Sequence, residues 1–236
     1  ERTLGGADLS VARTLSNLGL VEQSLGEHDA ARASFERSLE IKRHELPPDH
    51  PSIAATLANL AGLALVTGEL DRAERLYRDA LAIKEKAYGP EHPEVARDLD
   101  NLALVHLEQE RISEALELAG RATAIAEASL GPEHRDLARY LAHLGRAEIA
   151  SGRPQDGLAH VRRAVDVAEN ACGPECPELA TALADLGRAL DDAGDVDGAR
   201  EALHRALAIR EAVLEPGDAD LAEVREQLAR LDGAVG

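Results

Sequence analysis

The sequence has almost none of the large aromatic and thioether side chains that usually fill a globular core. Its 236 residues include no Trp and no Met, only one Phe and three Tyr. Alanine, leucine, arginine and glutamate are abundant instead, and this composition favours helices that pack closely through small side chains. The predicted fold class is therefore all-α.

Long apolar runs are also lacking, and the 26 basic residues are outnumbered by 44 acidic ones. No run of about 18 apolar residues occurs and the N-terminus has no signal-peptide pattern, so we expect a cytoplasmic protein without a membrane partner. A formal net charge of -18 argues against nucleic acid, because duplex binding needs cationic side chains that displace counterions from phosphates. The basic residues are nearly all Arg, a bias of GC-rich coding that favours a bacterial source.

Cysteine is limited to Cys172 and Cys176, which are too few for a disulfide framework. We interpret Cys172 as a small apolar core residue. A CxxxC redox pair or half of a metal site stays open as the alternative. The sequence contains no P-loop, no GxSxG elbow and no HExxH helix. We therefore expect neither an enzyme nor a bound cofactor.

A strict internal repeat of 42 residues organises nearly the whole chain. One column of the repeat is Ala12, Ala54, Ala96, Ala138, Ala180 and Ala222, and another is Leu18, Leu60, Leu102, Leu144, Leu186 and Leu228. The register predicts five units, 9–50, 51–92, 93–134, 135–176 and 177–218, followed by a capping helix in 219–236. Residues 1–8 align with the tail of a preceding repeat, so we expect a segment of a longer protein with further domains upstream.

Each unit carries two stretches with apolar residues three and four apart, which predicts two amphipathic helices, A and B. Gly26, Gly68, Gly152 and Gly194 should end helix A in the left-handed conformation. Four short polar residues, Asp29, Asp71, Ser113 and Asp197, are predicted to cap helix B. The prolines fall outside the helix interiors that this segmentation proposes.

The link and helix A carry a family resemblance, seen in YGPEHPEVARDLDNLA at 88–103 and LPPDHPSIAATLANLA at 46–61. They resemble the 42-residue tetratricopeptide repeat of kinesin light chains and of bacterial repeat proteins, including those fused to signalling ATPases. The resemblance implies a right-handed αα superhelix whose concave wall of helices A binds a peptide or partner helix. The family's aromatic residue late in helix A is replaced here by Glu22, Ala64, His106, Glu148 and Leu190, so an aromatic peptide pocket is not expected.

The resemblance also supplies candidate partner-binding residues on helix A. These are Asn17, Asn59, Arg97, Asn101, Arg139, His143, Arg146 and Arg188. Asparagine amides can pair with a peptide backbone and arginines can fork onto carboxylates, so the implied partner is a protein or peptide with acidic character. The alternative is a solvated face whose arginines pair with acids such as Asp100, Glu108, Asp185 and Asp191.

His50, His92 and His134 share one column of the repeat, just before helix A. Packed helices lie about 8–10 Å apart, whereas zinc needs its ligands about 2 Å from one point. The column cannot converge on one ion, so no metal site is expected. We predict instead that these histidines cap helix A or pack on the link.

Two functions remain from different classes. The first is a protein-interaction module that binds a partner segment in the groove. The second is a regulatory or sensor arm of a bacterial signalling ATPase or effector enzyme, which an upstream nucleotide-binding domain would favour.

The third and fourth units depart most from the repeat pattern. Glu110 replaces the turn glycine, Ala119 stands where Phe35 and Tyr77 stand, and Gly120 falls inside helix B. Thr123 replaces a leucine, and the fourth unit has Gly157 where the other units have alanine. Interior glycines and missing large side chains weaken a helix pair, so we expect the array to be softest here.

Overall fold

The computed structural model describes residues 9–213 and 219–233, and all regular structure within those ranges is α-helical. The described helices are α1 (Leu9–Ser24), α2 (His28–Glu45), α3 (Pro51–Val66), α4 (Leu70–Tyr88), α5 (Pro93–Glu108), α6 (Ile112–Leu130), α7 (Leu137–Ala150), α8 (Pro154–Cys172), α9 (Pro177–Asp192), α10 (Val196–Val213) and α11 (Ala219–Gly233). The predicted all-α fold class is confirmed. The predicted tail at 1–8 lies outside the described residues.

Helices pack in sequential pairs. Odd-numbered helices are helices A and even-numbered helices are helices B, and the B helices α2, α4, α8 and α10 each pack on their own A helix and on the A helix that follows. The chain divides into two compact units, unit 1 up to Leu118 and unit 2 from Ala119, so the division falls inside α6. No helix among the described residues is both long and apolar enough to cross a bilayer.

Small and aliphatic side chains form the core of each unit. In unit 1, one cluster consists of Ala31, Phe35, Leu39, Ile53, Ala54, Leu57, Leu60, Leu63 and Ala80. In unit 2, the fully covered side chains include Leu137, Leu141, Val161, Leu179, Leu203 and Leu221. These residues recur at the repeat columns, so sequence periodicity translates directly into stacked interfaces.

The turn between helices A and B has the predicted left-handed residue. Gly26 and Gly68 both have φ of 76°, and Gly152 and Gly194 have φ of 85° and 82°. Glu110 takes the same position in the third repeat with φ of 60°. A side chain in this conformation costs about 1–2 kcal/mol, which glycine avoids.

Histidine caps helix A as the sequence predicts. The Nδ1 atoms of His50 and His92 each accept a hydrogen bond from the backbone amide two residues later, at 3.1 Å. His134 makes the same contact at 3.2 Å. An acceptor at Nδ1 fixes the neutral tautomer with its proton on Nε2. His50 and His92 therefore cap α3 and α5, whereas α7 begins three residues after His134 and its N-cap, Asp136, has no side-chain cap bond.

The prediction for the caps of helix B is wrong. The four residues proposed, Asp29, Asp71, Ser113 and Asp197, lie inside the first turns of α2, α4, α6 and α10. Acidic residues there still favour the positive end of the helix dipole. In α10 the capping side chain is Asp195, whose Oδ1 accepts from the backbone amide of Gly198 at 3.0 Å.

Gly157 is a packing requirement of α8, and its interpretation as a weak point is wrong. A Cβ added to Gly157 would lie 2.5 Å from the carbonyl oxygen of Gly145 in α7. A Cβ added to Gly145 would lie 2.6 Å from the carbonyl oxygen of Gly157. The two glycines thus allow the backbones of α7 and α8 to approach closely, which an alanine at either position would prevent.

A disulfide joins Cys172, the last residue of α8, to Cys176 before α9, with the two Cα atoms 5.8 Å apart. Both cysteines are half-buried, so the interpretation of Cys172 as a core residue is wrong. Cys176 also takes the column of the capping histidines, and its sulfur accepts from the Leu179 amide at 3.4 Å. The bridge closes the link between the fourth and fifth repeats.

Helix α6 keeps the irregularities seen in the sequence. A Cβ on Gly120 would meet no atom of the described chain within 4 Å, so packing does not require a glycine there. Thr123 is buried and its hydroxyl donates to the carbonyl oxygens of Ala119 and Tyr140, at 2.8 and 3.2 Å. Thr123 therefore places a polar side chain in a column that other repeats fill with Leu39, Leu81, Val165 and Leu207, and Gly120 adds an interior glycine that packing does not require.

We expect backbone amides of residues 112–128 to exchange with deuterium faster than those of 70–86. A solenoid's stability is a sum of local and neighbour terms, so a thinned helix opens locally. Exchange followed by mass spectrometry measures this directly, and Gly120→Ala should slow exchange in α6 by contributing about 1 kcal/mol of helix propensity. Equal or greater protection of 112–128 in the wild type would contradict the prediction.

Candidate functional site

The helix A surface of unit 2 contains a cavity of about 300 Å³ between α7 and α9. We call it the unit 2 cavity. Its lining residues are Arg135, Asp136, Ala138, Arg139, Ala142, His143, Glu178, Thr181, Ala182 and Asp185. Three alanines form the apolar wall of the cavity, and charged groups of both signs surround this wall. The predicted site residues Arg139 and His143 are thus brought together.

Charged groups of the unit 2 cavity are held by one another and by an aromatic ring. The Arg139 guanidinium lies 4.9 Å from the ring centre of Tyr140, within the range of a cation–π contact. Arg135 Nη1 lies 3.3 Å from Glu178 Oε1 across the cavity. A surface with paired charges of both signs and an apolar wall suits a polypeptide better than a small ion.

Unit 1 has a corresponding cavity of about 320 Å³, which we call the unit 1 cavity. It is lined by Leu20, Gln23, Ala55, Ala58, Asn59, Gly62, Tyr77, Arg97, Asp98 and Asn101. The predicted residues Asn59, Arg97 and Asn101 therefore meet around one depression formed by α1, α3 and α5. Amides, a guanidinium and apolar side chains all face the same space.

Tyr77 is the lining residue that sequence reasoning missed, because its column belongs to the core side of helix B. It is 2% exposed. A Cβ built on Gly62 would lie 3.4 Å from the Tyr77 hydroxyl oxygen, and the neighbouring repeats have Leu20 and Leu104 at the position of Gly62. The sequence signal for Tyr77 is Gly62, whose lack of a side chain leaves space beside the tyrosine hydroxyl.

Two of the predicted arginines already pair with acids of the chain. Arg97 forms an ion pair with Glu94 one turn earlier in α5. Arg188 pairs with Asp185, and its Nη1 lies 2.7 Å from Glu223 Oε1. Burial would lower the pKa of the Arg188 guanidinium, but these two carboxylates outweigh it and raise that pKa. For these two side chains the alternative of internal pairing describes the structure.

The remaining predicted residues lie away from the two cavities. Asn17 is exposed on α1, and Arg146 and Arg188 are half-buried on α7 and α9, outside the residues that line either cavity. Surface position on helix A is therefore not sufficient to place a side chain in a cavity.

The family's late aromatic position in helix A is polar in three repeats, and in two of them this polar side chain forms a hydrogen bond with helix B. Glu22 accepts a hydrogen bond from the Ser34 hydroxyl at 2.6 Å, and Glu148 lies 2.6 Å from His160 Nδ1. His106 is 3% exposed, and burial lowers the pKa of its imidazole. Glu22 and Glu148 thus hold α1 to α2 and α7 to α8, whereas the Nε2 of His106 lies 3.5 Å from Glu74 Oε1 in the preceding B helix, α4.

A family model for the tetratricopeptide repeat matches residues 10–86, 52–128 and 136–212. Together these ranges include most of the chain, which therefore belongs to the tetratricopeptide repeat family. The resemblance found in the links and helices A is confirmed. No curated protein sequence matches the chain closely enough to be a relative.

Solved structures show the same fold. The chain is 25% identical to the nearly identical TPR-like repeats of a Podosopora anserina protein named as a kinesin light chain, with a TM-score of 0.68 over 88% of this chain and 99% of that one. It is 22% identical to BtubC (BKLC) from P. vanneervenii, with a TM-score of 0.69 over 89% and 84%. It is 19% identical to a chain of the APC/C hetero-tetramer Cut9-Hcn1, with a TM-score of 0.66 over 95% of this chain and 36% of that one.

These comparisons confirm the predicted all-α superhelix class and indicate a scaffold that binds proteins. The fold is one that typically serves interaction without catalysis.

Proposed function

We propose that this chain is a protein-interaction module that binds a segment of a partner protein on its helix A surfaces. The observation that supports this most directly is that both units have a cavity on helices A lined by apolar and charged groups together, to which unit 1 adds side-chain amides. Each cavity, at about 300 Å³, is at the small end of ligand sites and has room for side chains of a bound segment.

The lining chemistry suggests how a partner segment would be recognised. In the unit 1 cavity, the amides of Asn59 and Asn101 can donate to and accept from a peptide backbone. In the unit 2 cavity, Arg139 presents a guanidinium beside Tyr140 and can fork onto a carboxylate. Acidic side chains in the partner are therefore expected.

Other expectations for the intact protein stay predictions. They are a bacterial source, a cytoplasmic location and further domains upstream. The rival function, a regulatory arm of a signalling ATPase or effector enzyme, would use the same surfaces to hold another part of the same protein.

Reversing charge on helix A should abolish partner binding. We expect Arg97→Glu, Arg139→Glu and Arg146→Glu together to lose the proteins that wild type captures, because attraction to acidic side chains becomes repulsion. The measurement is affinity capture with mass spectrometry, with helicity checked by circular dichroism. Capture by the wild type should also weaken as salt is raised.

A matched control separates the surface from net charge. Arg43→Glu, Arg75→Glu and Arg162→Glu make the same charge change at exposed positions of helices B. This control should retain every partner that wild type binds. If the helix A variant also retains them, or the helix B variant loses them equally, the proposed surface is wrong. Arg97→Glu alone and the Arg139→Glu/Arg146→Glu pair then assign the effect to unit 1 or unit 2.

A further inference from the structure

Lys42, near the end of α2 in unit 1, is a buried ammonium without a carboxylate partner among the described residues. It is 7% exposed. Its Nζ donates to Thr56 Oγ1 at 2.7 Å and to Ser16 Oγ at 3.2 Å. An ammonium has three donors, so these hydroxyls leave one donor and the whole charge uncompensated. Isolated buried charge is strongly unfavourable unless it is paired.

In the next repeat, the lysine at the equivalent position contacts carboxylates. Lys84 occupies the equivalent position in α4, and its Nζ lies 2.8 Å from Asp98 Oδ1 and 3.3 Å from Glu94 Oε2. The residues 42 positions earlier are Thr56 and Ser52. The two carboxylates that α5 presents to Lys84 are thus replaced by two hydroxyls of α3 beside Lys42, while the lysine is kept.

Beside Lys42 lies a cavity of about 410 Å³, which we call the Lys42 cavity. Its lining residues are Leu9, Ser10, Arg13, Ser16, Lys42, Leu46, His50 and Ser52. Its titratable side chains are the exposed guanidinium of Arg13, the buried ammonium of Lys42 and the imidazole of His50.

Donors dominate the lining of this cavity. His50 Nδ1 accepts from the Ser52 amide, so in the neutral ring the proton is on Nε2, which can donate. Burial lowers the pKa of the Lys42 ammonium, without a carboxylate of the described chain to offset it. An anion in the cavity would supply the missing counter-charge.

We propose that the Lys42 cavity binds a carboxylate group from outside the chain, in the place that the carboxylates of Glu94 and Asp98 take beside Lys84. The carboxylate belongs either to a small organic acid or to an acidic side chain of a bound polypeptide. Arg13 at the rim and the hydroxyl of Ser52 supply further donors around it, whereas the Ser16 hydroxyl donates to Ser38, whose own proton goes to the Ala12 carbonyl oxygen. This site is separate from the unit 1 and unit 2 cavities and does not depend on the proposed function.

The test observes the lysine itself. Lys42, Lys84 and Lys86 are the only lysines in the sequence, so isotope-labelled side-chain signals can be assigned with Lys42→Met. Acetate, the peptide acetyl-Gly-Glu-Gly-amide, its Gln counterpart, inorganic phosphate and chloride are each titrated at equal ionic strength. We expect acetate or the Glu peptide to shift the Lys42 signal saturably, and the Gln peptide and chloride to leave it in place.

Thr56→Asp is the decisive variant, because it supplies internally the carboxylate that Asp98 supplies to Lys84. The affinity for the added carboxylate should fall by at least about tenfold, the loss expected when a hydrogen bond to a charged group is pre-empted. Ala82→Asp, at an exposed position of α4, adds the same charge and should bind as wild type does.

The outcomes distinguish the two sources of the carboxylate and show which results contradict the proposal. Saturation by acetate alone identifies a small organic acid, and tighter binding of the Glu peptide identifies a polypeptide side chain. The proposal is overturned if neither carboxylate gives a saturable shift, if only phosphate does, or if chloride gives the same shift. Unchanged carboxylate binding by a folded Thr56→Asp variant overturns it as well.

Discussion

Replacing Asp98 with alanine is expected to lower the free energy of unfolding by about 3–5 kcal/mol, the cost of leaving a buried charge without its partner. Lys84 and Asp98 are each 1% exposed, whereas Glu94, the second acid beside Lys84 at 3.3 Å, is 37% exposed, so neither water nor Glu94 makes up for the lost buried carboxylate. Burial raises the pKa of the Asp98 carboxyl, and Lys84 opposes that rise by favouring its ionised form. Urea unfolding followed by circular dichroism measures the loss.

The control removes both charges. A Lys84→Met/Asp98→Leu double variant should recover most of the stability, since replacing a buried ion pair by apolar side chains is often neutral or stabilising. Lys42→Met should cost much less than Asp98→Ala, because it removes a buried charge, whereas Asp98→Ala leaves the buried Lys84 ammonium without that partner. A loss below about 1 kcal/mol in Asp98→Ala, the range of exposed ion pairs, would show that Lys84 reaches solvent or another acid.

Phe35→Ala is expected to cost about 3–5 kcal/mol of unfolding free energy, the usual range for removing a buried aromatic ring. Phe35 is fully buried and is the only Phe of the chain. A Cβ built on Gly19 would lie 2.6 Å from the ring edge, so α1 presents a bare backbone where the ring packs. The cavity left by alanine could close only if α1 moved against α2.

Phe35→Leu is the matched comparison, because the fifth repeat places Leu203 against Gly187 in the same two columns. A leucine there should be tolerated at about 1.5 kcal/mol or less, the range of swaps that roughly conserve apolar volume. Thermal or urea unfolding compares the two variants. Equal losses in alanine and leucine would indicate that ring shape, rather than buried volume, stabilises this pair.

The candidate binding surface was only partly predictable. Helix periodicity and family position correctly placed Asn59, Arg97, Asn101, Arg139 and His143 on helix A, and these five line the two cavities. Periodicity gives the direction of a side chain from its own helix. It does not show what the neighbouring helix places opposite, so the pairing of Arg188 with Asp185 and Glu223 needed the structure.

The helix ends were also predicted in part from the sequence and needed the structure for the rest. The left-handed turn glycines and the histidine caps depend on a few consecutive residues, and both were predicted correctly. The caps of helix B were placed two residues late, because several short polar residues adjoin each turn and backbone geometry selects among them.

What the sequence by itself determined is the all-α repeat architecture, since a strict 42-residue register of small and aliphatic residues leaves stacked helix pairs as the way to bury its apolar faces. The tertiary structure decided the features that depend on distance between chain-distant groups. It showed the close approach of Gly145 and Gly157, the cavity that Gly62 opens over Tyr77, and Lys42 buried without the carboxylates that hold Lys84. Packing distance and burial set the energy of each, and neither is encoded at a single position of the repeat.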